Sequence, residues 1–105
     1  MTVNATQPPL HQERVLDSIR TALHEAAATR QRQLDDLPPP HVDPVAGAHR
    51  DGLERILREI RSAQERLDTG RFGTCQGCGE AIPVERLELR PWTSLCVPCA
   101  ARTAA

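Results

Sequence analysis

At 105 residues, 39% hydrophobic and 2% aromatic, the chain has room for one small domain and little material for a core, so a metal is expected to help hold it together. Its 13 basic residues, all arginine, balance 14 acidic ones to a formal net charge of -1, which leaves no bulk electrostatic drive toward nucleic acid or anionic membrane. No long apolar run or signal-like leader is present, so a soluble cytoplasmic protein without a membrane partner is expected.

Residues 1–9 are polar and end in Pro8-Pro9, a pair that starts helices rather than lying inside them, and read as a flexible tail. From His11 to about Asp36 there is no Gly or Pro, and Leu16, Ile19, Leu23 and Ala26 recur at spacings of three and four before the stripe weakens at Arg30 and Gln33. This predicts an amphipathic helix of about 26 residues, roughly 39 Å long. Four prolines and a glycine between Leu37 and Gly47 predict a stiff tip loop over about 37–48.

The helical pattern resumes from Ala48 or His49 to Thr69 through Leu53, Ile56, Ile60, Ala63 and Leu67, and Gly70 supplies a stop. Asp51 with Arg55, and Glu54 with Arg58, have the spacing of surface ion pairs. The fold class expected is therefore mainly α: an antiparallel coiled-coil hairpin over 10–70, followed by a compact C-terminal module over 71–105.

That module carries the chemistry. Cys75, Cys78, Cys96 and Cys99 form two Cys-x2-Cys pairs separated by 17 residues, the spacing of a four-thiolate zinc site. One tight turn presents two sulfurs to an ion and a second turn completes the tetrahedron. Four thiolates leave no open position for water, so one structural Zn2+ is expected and catalysis at the metal is not. Two redox-active dithiols are the competing reading. Gly77 and Gly79 suit turns wrapped around a metal. Phe72, Ile82, Leu87, Leu89, Trp92, Leu95 and Val97 are enough for a small apolar layer beside it. Trp92 reads as packing there or as an interface anchor, and Arg86 as a solvated side chain or a partner contact. No grouping of nucleophile, base and orienting residue can be assembled, so the chain does not read as an enzyme.

The segment from Phe72 to Pro83, with Arg86-Leu87-Glu88-Leu89-Arg90-Pro91 and Leu95-Cys96-Val97-Pro98-Cys99, resembles the DksA/TraR C4-type zinc finger family, closely over residues 65 to 99. The resemblance implies a transcription regulator in which a finger at the base of a coiled-coil hairpin directs the tip into the secondary channel of bacterial RNA polymerase. It implies a protein partner rather than DNA, and a monomer is expected.

The family's tip pattern, Asp-x-x-Asp-x-Ala, has its counterpart at residues 43–48. Asp43 and Ala48 match, and Ala46 stands where the second acid belongs. Asp35 and Asp36 either supply that charge from across the loop or are solvated. Positions that contact the alarmone ppGpp in the family correspond to Arg90, Glu59 and Ala100; two of the three lack the expected base, so strong alarmone dependence is not expected. Arg90 and Trp92 remain candidate partner contacts. The alternative function is an interaction adaptor, or a passive competitor for the channel, with the same fold but weak or no effect on the polymerase active site.

Overall fold

The computed structural model describes residues 9–39 and 41–104; Pro9, the last residue of the tail expected over 1–9, already opens a helix, and the rest of that tail lies outside the described residues. Four helices follow in order: α1 (Pro9–Asp36), α2 (Pro44–Asp68), α3 (Val84–Leu89) and α4 (Val97–Ala104). The long pair makes an elongated molecule of 61 × 31 × 21 Å. Among the described residues no strand forms, only an isolated antiparallel bridge between Thr74 and Ala81.

Helix α2 begins earlier than the proline-rich reading anticipates, and the loop closes at residue 43 instead of 48. Pro44 occupies the first turn, where its missing N–H costs nothing and its fixed φ suits a helix. Asp43 is the N-cap, its carboxylate accepting from the Val45 N–H at 3.0 Å. At the other end, Gly70 adopts a φ of 76°. Its N–H donates to the Leu67 carbonyl, and the Arg71 N–H to the Arg66 carbonyl at 2.8 Å, which closes the helix in a Schellman motif.

The hairpin core has two parts. At the base, Ile19 and Leu23 of α1 meet Ile60 and Ala63 of α2, and the same cluster takes in Cys75, Ile82, Leu87 and Cys99 of the C-terminal module. Toward the tip, Leu34 packs with Leu53 and Leu57. The buried stripe of α1 thus continues past Arg30 to Leu34, and Leu16 points outward at 39% exposure, its place at the base taken by Val15. On α2, Leu57 and Ile60 are buried while Ile56 and Leu67 are half-buried.

The anticipated pairs Asp51–Arg55 and Glu54–Arg58 do not close. Among the described residues the salt bridge present is Arg20–Asp17 at 3.1 Å, fully on the surface, where such a contact adds little.

Candidate metal centre

The segment between α2 and α3 folds tightly over the first cysteine pair. The Cys75 N–H donates to the Glu80 carbonyl at 2.8 Å, the Gly79 N–H to the Cys75 carbonyl at 2.9 Å, and the Ile82 N–H to the Gly73 carbonyl at 2.8 Å. Gly73 and Gly79, at φ 91° and 80°, make this reversal possible. Gly77 serves differently: a Cβ there would lie 3.1 Å from the Cys99 sulfur, so the glycine allows the two cysteine turns to approach.

The second pair straddles the start of α4, with Cys96 just before the helix and Cys99 in its first turn. The Gln76 N–H donates to the Ser94 carbonyl at 2.8 Å and the Arg86 Nε to the Leu95 carbonyl at 2.9 Å, fixing the approach to Cys96. Arg86 is thus an internal brace instead of a solvated side chain.

These turns bring all four sulfurs within 4.8 Å of one another. Cys78 and Cys96 stand 3.8 Å apart, which matches the roughly 3.8 Å edge of a tetrahedron with metal–sulfur bonds of about 2.3 Å. The donor set is all sulfur and closed, and it fits a tetrahedral zinc.

The sulfurs differ in their surroundings. Cys75 is buried and accepts N–H groups from Cys96 and Gly77, both at 3.3 Å. These donors, Cys96 foremost, bring its thiol down to about 6. Burial pushes the Cys99 thiol up to about 12, with the Arg102 charge opposing. Arg102 Nη2 lies 2.9 Å from the Cys99 sulfur.

The apolar layer is smaller than its composition suggests. Ile82 and Leu87 are buried and Phe72, Trp92 and Leu95 pack against them, whereas Leu89 is 88% exposed and Val97 also faces outward. Trp92 is half-buried and packs on the base cluster, with the Arg30 guanidinium 5.0 Å from its ring centre in a cation–π contact that ties α1 to this module.

Sequence reasoning missed Arg66. It is 6% exposed, donates to the Ser62 hydroxyl at 2.7 Å, and has no carboxylate partner among the described residues. Burial, with a smaller effect from the Arg71 charge, lowers its pKa. It borders a hollow of about 260 Å³ together with Arg55, Arg58, Glu59 and Trp92. Its spacing of three from Ala63 keeps it on the buried stripe, but an arginine at such a position reads as surface because its charged head ordinarily stays in water.

At the far end, Asp43 is half-buried, Ala46 is 5% exposed and Ala48 is exposed on the second turn of α2. Val42 and Val45 project beside Asp43, at 64% and 76% exposure. Asp35 and Asp36 are exposed at the end of α1, with Asp35 accepting from Gln31 at 3.1 Å. Arg90 is exposed and far in sequence from this tip.

The prokaryotic dksA/traR C4-type zinc finger family matches residues 70–103. The RNA polymerase-binding transcription factor DksA of Haemophilus influenzae is 30% identical over 101 residues, covering 86% of this chain and 70% of that protein. Its Escherichia coli K12 namesake is 27% identical over 100 residues, covering 85% and 66%. The chain therefore spans about two thirds of the length of these relatives. Among solved structures, transcription factor DksA2 from Pseudomonas aeruginosa aligns with a TM-score of 0.62 at 26% identity, over 94% of this chain and 92% of that one. The Chlamydia trachomatis L2 regulator Dks has a TM-score of 0.64 at 22% identity, over 85% and 86%, a likeness of fold. With its four-sulfur centre at the base of a helical hairpin, the chain belongs to the DksA/TraR zinc finger family.

Proposed function

We propose that the chain is a cytoplasmic transcription regulator that binds bacterial RNA polymerase as a monomer, with its hairpin tip in the secondary channel. The observation that carries this reading is the architecture: a narrow hairpin with a capped tip, held at its base by a closed metal site. The relatives named as RNA polymerase-binding transcription factors support it. Among the described residues no helix is long and apolar enough to cross a membrane. The closed donor set gives no opening for substrate, in keeping with a regulator rather than an enzyme.

The test uses zinc-loaded chain and purified bacterial polymerase, with a photocrosslinker at position 43. Association that depends on zinc, with crosslinks to the channel, is expected. No association, or crosslinks that never reach the channel, would sink the reading.

Glu59 lines the hollow beside Arg58 and Ala100 carries only a methyl group, so of the three alarmone positions only Arg90 is basic. Stimulation by ppGpp should accordingly be weak.

One observation favours the passive alternative. The Asp43 carboxylate is engaged as a cap, and Ala46, at the third helical position, adds no acid. An acid at 46 would complete a capping box by reaching back to the Asp43 backbone N–H. Two substitutions separate capping from charge. Asp43→Ala is expected to destabilise the tip by about 1 kcal/mol, whereas Asp43→Asn keeps the cap and stability while removing the carboxylate. If the parent chain and Asp43→Asn both leave transcription initiation in vitro unchanged relative to polymerase alone, the carboxylate has no effect at the polymerase active site and the passive reading holds.

A further inference from the structure

The four sulfurs are not equally supported. Cys75 and Cys99 are both buried, at 2% and 4% exposure. The Cys75 sulfur accepts two backbone N–H groups, from Gly77 and Cys96. Among the described residues no backbone N–H reaches the Cys99 sulfur; its donor is the Arg102 guanidinium at 2.9 Å, from one turn further along α4. Four thiolates around one Zn2+ make a dianionic centre, and a buried thiolate without a donor is costly.

Arg102 shares its groove with Glu80, yet forms no ion pair with that carboxylate and turns to sulfur instead. A guanidinium is weakly hydrated and permanently charged, which suits it to a soft, diffuse anion. We propose that Arg102 is a positioning residue of the metal centre: it supplies the hydrogen bond and the positive charge that the backbone gives to Cys75 but not to Cys99, and so retains zinc at the second cysteine pair. This rests on the four-thiolate zinc reading of the site, and it is independent of polymerase binding.

The test is chelator competition on the full, zinc-loaded chain, with Arg102→Gln compared with the parent. Because Arg102 is exposed at the last turn of α4, the variant should fold. Zinc affinity is expected to fall by about tenfold or more. In the cobalt-substituted protein, the sulfur-to-cobalt charge-transfer band should move to lower energy as Cys99 loses its donor, while the ligand-field bands of a tetrahedral four-sulfur site stay in place. An affinity equal to that of the parent overturns the proposal. So does an affinity loss with an unmoved charge-transfer band, which would assign the effect to the helix end and its dipole instead of the sulfur. If ligand-field bands of a four-sulfur site are absent from the parent itself, the underlying zinc reading fails first.

Discussion

Removing zinc by chelation, or replacing Cys99 with serine, is expected to abolish most of the far-UV helical circular dichroism of the protein, not merely the order of the C-terminal module. The reason lies in the base cluster. Cys75 and Cys99 are packed in one apolar group with Ile19, Leu23, Ile60 and Ala63, so the metal ligands are part of the hairpin's own core. Structural zinc contributes about 10–16 kcal/mol of apparent binding energy at neutral pH, more than the whole net stability of many small domains. Without it, four thiols within 4.8 Å have no reason to converge, and the base opens. The apolar contact left between α1 and α2 is then Ile19 and Leu23 against Ile60 and Ala63 at the base, stripped of the module that covers it, and Leu34, Leu53 and Leu57 toward the tip, too little to hold two long helices together. Polymerase association should disappear in parallel. Full helicity in a zinc-free or Cys99→Ser protein would show that the hairpin stands alone.

Ile60→Ala should destabilise the protein by about 2–5 kcal/mol, because the side chain has no exposure and sits where α1, α2 and the metal module meet. In a domain of this size each kcal/mol shifts the melting temperature by about 4–8 °C, so thermal denaturation with zinc in excess reads the effect directly. Leu89→Ala provides the contrast. At 88% exposure it should change stability by no more than about 0.5 kcal/mol. Equal losses in the two variants would mean that the packing at the base is not as described.

The zinc site and the helical hairpin were legible in the sequence because their signals are local. Paired cysteines two residues apart and an apolar repeat of three and four need no tertiary knowledge. The start of α2 is also written locally, in Asp43-Pro44, but a proline within a proline-rich stretch reads as a breaker even where it stands at the position a helix accepts. The choice between Leu16 and Val15, and the burial of Leu34, depended on how the stripe drifts around α1 relative to its partner, since 3.6 residues per turn do not keep a fixed face over many turns.

Other features were not readable because they arise only when distant segments meet. Leu89 and Val97 look like core by composition, yet the short helices that carry them turn those positions to solvent. Arg66 looks like surface, yet it is buried beside a hollow that Gln76, Trp92 and Ser94 of the metal module also line. Arg102 was within reach of sequence reasoning, since a residue three after a helical cysteine shares its face, but the choice of sulfur over Glu80 required the geometry.

The contact between Arg30 and Trp92 has a practical corollary. The chain contains one tryptophan and no tyrosine, and that tryptophan lies where the metal module rests against the first helix. Its intrinsic fluorescence therefore comes from a single place in the molecule, beside a cation whose removal alters the emission. A tilt of the module relative to the hairpin that parts Arg30 from Trp92 is therefore expected to register as a spectral change without any label, an optical goniometer for the angle between the two.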